Sequence, residues 1–96
     1  MVIYGHIISI HLPLLLVSVK IDLEKQTITA ICAELAQIRK DQEISQQRLS
    51  EIADISRSGL RHVESLKYHP TLYTLLKIAR ALNIDLSILI AKHTQK

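Results

Sequence analysis

Aromatic residues are nearly absent from this chain of 96 residues, which has three tyrosines and neither phenylalanine nor tryptophan. A surface that stacks the bases of single-stranded nucleic acid needs more aromatic rings, so that class of binding protein is disfavoured. The single cysteine, Cys32, excludes an intramolecular disulfide and a cysteine-based zinc site, and it suits the reducing cytoplasm in which we expect the protein. Only two glycines and two prolines occur, which excludes collagen-like and linker-like chains.

What is present fits one small folded domain. Apolar residues make up 48% of the chain, which argues against intrinsic disorder, and the length leaves no room for a second core. Twelve Lys and Arg residues stand against nine Asp and Glu residues, a net charge of +3. This basic excess permits a polyanionic partner without requiring one.

Charged residues are missing from the start of the chain, where none precedes Lys20. A secretory signal needs positive charge ahead of its apolar stretch, and a membrane span needs about 20 uninterrupted apolar residues, so we expect neither, and no membrane partner. Early β-branched residues, together with Pro13, predict that residues 1–26 form a hydrophobic, extended arm. Two interpretations remain open: the arm packs on a partner surface such as a second copy, or it reflects an upstream translation start and carries no function.

A helical pattern of apolar residues begins at Thr27 and continues to about His93. The first predicted helix carries Ile28, Ile31, Leu35 and Ile38 on one side and ends at the polar cluster 41–43. Four further helices are expected to begin after residues that can cap free backbone amides: Ser45, Ser56, Thr71 and Asp85. The sequence therefore predicts an all-α domain of five helices over residues 27–93, followed by a frayed tail at residues 94–96.

The second and third predicted helices are short and lie on either side of a tight turn. The third has Leu60 and Val63 three residues apart on its inner side, whereas its remaining residues are mostly polar and positive. This arrangement is typical of the helix-turn-helix, whose second helix enters the major groove of DNA.

Three segments of the chain carry a resemblance to a known family: residues 45–64, residues 67–71 and residues 75–84. They resemble, in order and without insertion, the phage-repressor and Cro family of transcriptional regulators, also called Xre-like. The resemblance extends from Thr27 to about His93. It implies a lambda-repressor-like fold that binds double-stranded DNA as a regulator of transcription.

The resemblance also implies roles for individual residues. Base contacts are expected from Arg57, Ser58 and His62, and an arginine that grips guanine with two donors is worth about 1–3 kcal/mol of discrimination. For His62, a solvent-facing imidazole without a partner remains an equal alternative. Contacts with the DNA backbone are expected from Gln46, Gln47, Arg61, Lys67 and His69, with Tyr68 as a further candidate. A base contact remains an alternative for Arg61, and a merely solvated loop remains an equal alternative for residues 67–69. Arg39 and Glu64 are expected to form a structural brace for the recognition helix.

Three residues depart from the family pattern. Asp54 and Leu66 stand where glycine is common, and a left-handed backbone is costly for both, more so for leucine. Ser50 replaces a small alanine between the helices and brings a hydroxyl that needs a partner. Gly59 inside the recognition helix costs about 1 kcal/mol relative to alanine, but it would allow a close approach of the backbone to DNA.

Two other classes of function compete with a DNA-binding regulator. An enzyme is disfavoured because no nucleophile turn or glycine-rich phosphate loop occurs, and we expect no cofactor. We expect no metal site either, because His6 and His11 have no further ligands. The stronger alternative is an antitoxin-type or other protein-interaction module, whose partner would be a toxin-like protein.

The resulting hypothesis is a repressor-like homodimer on a roughly palindromic site with half-sites about 34 Å apart. Two surfaces are open for dimerisation, the N-terminal arm and the last helix, with Ile84, Ile88 and Leu89.

Overall fold

The computed structural model describes residues 13–94, with side chains from Leu23 onward, and residues 1–12 with His6 and His11 lie outside it. Within residues 13–94 the chain forms only helices, which confirms the predicted all-α architecture. The five helices are α1 (Pro13–Asp41), α2 (Gln46–Ala53), α3 (Arg57–Glu64), α4 (Leu72–Ala81) and α5 (Leu86–Thr94).

Helix α1 begins earlier than predicted. It spans 29 residues from Pro13 to Asp41, so residues 13–26 are helical and the extended conformation expected for them was wrong. Proline interrupts a helix only in its interior; at the first position its missing N–H would have had no intrahelical partner, and its φ is already helical. Residues 23–26 are all exposed, and partial burial against the other helices begins at Thr27.

Side chains cap the helices at the predicted residues. The hydroxyls of Ser45, Ser56 and Thr71 accept hydrogen bonds from the backbone N–H groups three residues later, at the starts of α2, α3 and α4. The Asp85 carboxylate accepts from the N–H of Ser87 at 3.0 Å and so caps α5. Each such cap is worth about 1 kcal/mol.

Aliphatic side chains from all five helices form one core. Helix α1 packs against α3, α4 and α5, while α2 packs against α3 and α4. Cys32 belongs to this core, and its burial raises the pKa of the thiol to about 11. The largest fully buried side chains are those of Ile31, Cys32, Leu35, Leu49, Leu60, Val63, Ile78 and Leu82.

Helix α5 is tied to α1 near its end. Glu34 of α1 accepts a hydrogen bond from Lys92 Nζ at 3.0 Å, and its other oxygen lies 2.6 Å from His93 Nε2. Thr94 is the last residue of α5, and its hydroxyl donates to the Ile90 carbonyl at 2.7 Å. Thr94 is therefore helical rather than frayed, and residues 95–96 lie outside the described range.

Of the three residues expected to form a dimer surface at the last helix, the structure leaves Ile88 alone largely exposed. Leu89 is buried in the core, Ile84 packs against that core, and Ile88 is 64% exposed. No helix among the described residues is both long enough and apolar enough to span a membrane.

Candidate nucleic-acid interface

The turn between α2 and α3 is closed by backbone hydrogen bonds. Asp54 follows α2 in the left-handed conformation, with φ 57° and ψ 50°, as expected where the family often has glycine. The N–H of Ile55 then donates to the Ser50 carbonyl at 3.0 Å. From α4, Lys77 Nζ donates to the Asp54 carbonyl at 3.0 Å, which fixes the turn to a third helix. Because Lys77 is 23 residues from Asp54, no local sequence signal indicated this contact.

Ser50 fits the space between α2 and α3 without an unmet polar group. Its side chain is buried, and its hydroxyl donates to the Gln47 carbonyl at 2.7 Å. The substitution of serine for the usual alanine is therefore compatible with close packing of the two helices.

Helix α3 is strongly two-sided. Leu60 and Val63 are each 1% exposed and hold the helix against the core. All the polar residues of its first two turns, Arg57, Ser58, Arg61 and His62, are exposed. The residues that the resemblance assigns to DNA contacts on α3 thus share an open surface, while their contacts with DNA stay a prediction.

Arg39 of α1 and Glu64 at the end of α3 form a two-pronged ion pair. Arg39 Nε donates to Glu64 Oε2 at 2.7 Å and Nη2 donates to Oε1 at 3.0 Å, with both side chains 10% exposed. The third guanidinium nitrogen donates to the Ile44 carbonyl at 2.6 Å. Paired donors in a nearly buried site fix orientation as well as distance, so this contact holds the end of α3 to α1.

Gln46 joins the same ion pair. Its side-chain amide donates to Glu64 Oε1 at 2.8 Å, and the residue is half-buried. The sequence analysis assigned Gln46 to the DNA backbone and did not anticipate this bond, since the two residues are 18 positions apart. The second N–H of the amide remains for a phosphate oxygen. Gln47, next to it, is exposed.

A polar cleft of about 600 Å³ runs beside α3. It brings together four of the predicted DNA-contacting residues, Gln46, Ser58, Arg61 and His62, with the Arg39–Glu64 pair at its base. Arg57, Gln47, Lys67 and His69 do not line this cleft. Since Glu64 is neutralised by Arg39, the charge that the cleft offers to a ligand comes from Lys40 and Arg61.

The loop after α3 presents a second group of predicted contact residues. Lys67, Tyr68 and His69 are all exposed, and the ring of Tyr68 lies 6.1 Å from that of His62 between centroids. Leu66 adopts a left-handed conformation with φ 65°, the strained geometry that the sequence analysis identified as costly, and is 39% exposed. The loop is anchored by Ser65, whose hydroxyl donates to the His62 carbonyl at 2.6 Å.

Gly59 lies at the cap of α3, at the position that Arg48 occupies in the cap of α2 and Thr74 in that of α4. A Cβ at this position would lie 2.9 Å from the Ser56 hydroxyl oxygen, which accepts the hydrogen bond of the Gly59 N–H at the same distance. A side chain here would therefore require the Ser56 hydroxyl to shift, a change that the caps of α2 and α4 show to be compatible with a Cβ at this position.

Comparisons with known proteins agree with this geometry. The family model described as Helix-turn-helix matches residues 35–89, more than half of the chain. The chain is also similar to an immunity repressor protein of Bacillus phage phi105, with 40% identity over 57 residues. That alignment covers 59% of this chain and 40% of the phage protein, so the chain spans about two fifths of the length of this relative.

Proposed function

Because the chain belongs to the Helix-turn-helix family of phage-repressor-like, DNA-binding regulators, we propose that it recognises a specific double-stranded DNA sequence through α3 and represses transcription as a homodimer. The observation that carries the proposal is the two-sided α3. Its inner residues Leu60 and Val63 are buried, and its outer polar residues are open to solvent over two turns. A helix of this kind can enter a major groove without any rearrangement of the core.

Base recognition falls to the start of α3. Arg57 is its first residue, and the first turn of a recognition helix comes nearest to the base edges. Its guanidinium can donate to O6 and N7 of a guanine, a contact that discriminates by about 1–3 kcal/mol. Ser58 and His62 stand four residues apart on the same side of the helix, where either can donate to a base edge.

Phosphate contacts position the protein on the duplex. Gln46 and Gln47 are the first residues of α2, whose free N–H groups and dipole favour an anion. Lys67 and His69 are exposed in the loop after α3, and Arg61 lines the polar cleft together with Gln46. These contacts carry little sequence information, but each cation that neutralises a phosphate makes binding more dependent on salt.

Two copies are needed for tight binding, since one small domain makes few base contacts. A two-fold dimer would place one α3 in each half of a palindromic site, with successive half-sites about 34 Å apart. The repressor assignment is supported by the name of the phage relative, an immunity repressor protein.

Selection of binding sites from a random pool of duplexes tests this proposal. We expect enrichment of a two-fold-symmetric motif, followed by a gel-shift loss on the order of 10- to 100-fold in affinity for Arg57→Ala combined with Arg61→Ala. Arg80→Ala combined with Lys25→Ala is the matched control, because the pair removes the same two positive charges from exposed positions on α4 and α1.

An antitoxin-type or other protein-interaction role predicts the opposite result. If the fold served a protein partner alone, no motif would be enriched even at low salt. The double arginine variant would then have no DNA affinity to lose, and the proposal would be abandoned.

A further inference from the structure

An apolar groove lies where α1, α4 and α5 meet, away from the cleft beside α3. It has a volume of about 300 Å³ and is lined by Ile28 and Ile31 of α1 and Leu75 of α4. Two further lining residues stay open to solvent, Leu72 at 60% and Ile90 at 37% exposure. The groove shares no residue with the polar cleft, so a partner seated in it leaves α3 free for DNA.

Helix α1 leaves the other helices beside this groove. Residues 23–26 are exposed on every side of one turn, and Leu23 is 47% exposed. Beyond that turn the helix continues to Pro13, so about 21 Å of α1 precedes Thr27. The sequence of residues 13–22 is PLLLVSVKID, in which aliphatic residues predominate and only Lys20 and Asp22 are charged. Such a helix is unfavourable in water without a partner.

We propose that the occupant of the groove is a second copy of this chain, which inserts the N-terminal part of its own α1, residues 13–22. Each copy carries both an apolar groove and, next to it, an apolar helical segment, which is the self-complementary arrangement that a two-fold dimer requires. Antiparallel pairing of the two segments brings the tip of each helix to the groove at the base of the other. The inference rests on the homodimer of the proposed function and names its surface.

The size of the groove favours a helix over a smaller occupant. Stable dimers bury on the order of 800 Å² per partner, an area that an insertion confined to the few residues of this groove would not reach. The helical segment 13–22, about 15 Å long, supplies additional apolar contact along its length. The same dimer would bring the open side of the groove into contact with a segment in which aliphatic residues predominate.

The oligomeric mass of the full-length chain in solution, measured without DNA, tests whether the groove forms the dimer interface. We expect a dimer by light scattering, and a rise of about 100-fold or more in its dissociation constant for Leu72→Glu combined with Ile90→Glu, because each carboxylate would have to be desolvated in an apolar groove. Ile88→Glu is the matched control, since Ile88 is 64% exposed on α5 and does not line the groove. Far-UV circular dichroism verifies that every variant is folded.

Three results would overturn the inference: a monomeric wild-type chain, a dimer that tolerates both groove substitutions, or a dimer that dissociates on Ile88→Glu. The last result would assign the interface to the outer side of α5. None of them depends on DNA binding. Conversely, Arg57→Ala combined with Arg61→Ala is expected to leave the oligomeric mass unchanged. A failure of the DNA-binding proposal would therefore appear in the gel shift and not in the mass.

Photo-crosslinking identifies the occupant directly. A benzophenone amino acid at Val17, in a mixture of unlabelled and ¹⁵N-labelled full-length chains, is expected to form crosslinks of mixed isotope composition to the peptides containing Leu72 or Ile90. The same probe at Gln37, an exposed residue of α1 that does not line the groove, is expected to give none. Crosslinks confined to chains of one isotope composition would mean that a chain covers its own groove, which contradicts a second copy.

Discussion

Replacement of Glu64 by glutamine removes the charge that compensates Arg39 in a nearly buried site. The Glu64 carboxylate accepts three hydrogen bonds, at 2.7 and 3.0 Å from Arg39 and at 2.8 Å from Gln46. Loss of one partner from a fully buried ion pair costs about 3–5 kcal/mol. Both side chains keep 10% exposure, and Arg39 retains its bond to the Ile44 carbonyl, so we expect a smaller loss of about 2–3 kcal/mol in the free energy of unfolding.

A loss of this size is large for a domain whose total stability is about 5–15 kcal/mol. Urea denaturation followed by circular dichroism measures it, and the midpoint of thermal unfolding is expected to fall by roughly 10–20 °C. Glu51→Gln makes the same chemical change in the Arg48–Glu51 pair, which is 3.5 Å long with side chains 66% and 55% exposed. That control is expected to change stability by less than about 0.5 kcal/mol. If Glu64→Gln were as mild as the control, the brace between α1 and α3 would have no energetic basis.

Three further perturbations test local features of the fold. Glu43→Gly is expected to raise the free energy of unfolding by about 0.5–1 kcal/mol in urea, because the exposed Glu43 has φ 58° and glycine adopts it without strain; a decrease would refute the cost assigned to this backbone. Hydrogen bonds from Lys92, and secondarily from His93, hold the pKa of Glu34 in the folded protein below its ordinary value of 4.5. The stability that these bonds add is therefore complete above pH 4.5 and is lost as the pH falls through the pKa of the folded protein. Glu34→Gln should therefore flatten the acid limb of urea midpoints measured from pH 7 to pH 3, and a limb parallel to that of the wild type would contradict this. The Cys32 thiol, buried and with a pKa of about 11, should react with a disulfide reagent at pH 8 only at the rate of unfolding, and rapid reaction in native buffer would show that it is accessible.

Most of the helical framework could be predicted because its signals are local. Ser45, Ser56 and Thr71 each cap a helix within three residues, and the apolar periodicity of α2 to α4 lies within one or two turns of each cap. The inner position of Leu60 and Val63 followed from their spacing alone, and it leaves the opposite side of α3 exposed. The Arg39–Glu64 pair came only from the family resemblance, since 25 residues separate its members.

Other features depend on information that a local pattern does not contain. A proline is compatible with the first position of a helix but disrupts the interior of one. The effect of Pro13 therefore depends on where α1 begins, which the residue type alone does not reveal. Likewise, Thr94 is helical because α5 is tied to α1 through Glu34, a contact across 59 residues. The position of Pro13 within its helix and the tertiary contacts of α5 thus decided two helix ends against an expectation drawn from residue type.

Each of the first four helices is followed by a residue in the left-handed conformation, but the order of polar and apolar residues after α3 differs from that after the other three. Each end has a residue with φ between 57° and 65°, and none of these residues is glycine. After α1, α2 and α4 the left-handed residue is polar, and the next residue is an isoleucine: Ile44, Ile55 and Ile84. The N–H of each isoleucine donates to the carbonyl five residues earlier, and its side chain packs on the core.

At the end of α3 the order is reversed: the left-handed residue is apolar and the residue after it is polar. Leucine occupies the left-handed position, where it is strained and 39% exposed, and the next residue is the exposed Lys67, whose N–H donates to the Ser65 hydroxyl instead. An isoleucine at position 67 would complete the more stable pattern seen at the other three ends. A local arrangement that is less stable than its alternatives is often found where a surface serves binding. Here it places a cation and an apolar side chain directly after α3, the proposed recognition helix. The strained position of Leu66 therefore supports the proposal that the loop after α3 takes part in DNA binding.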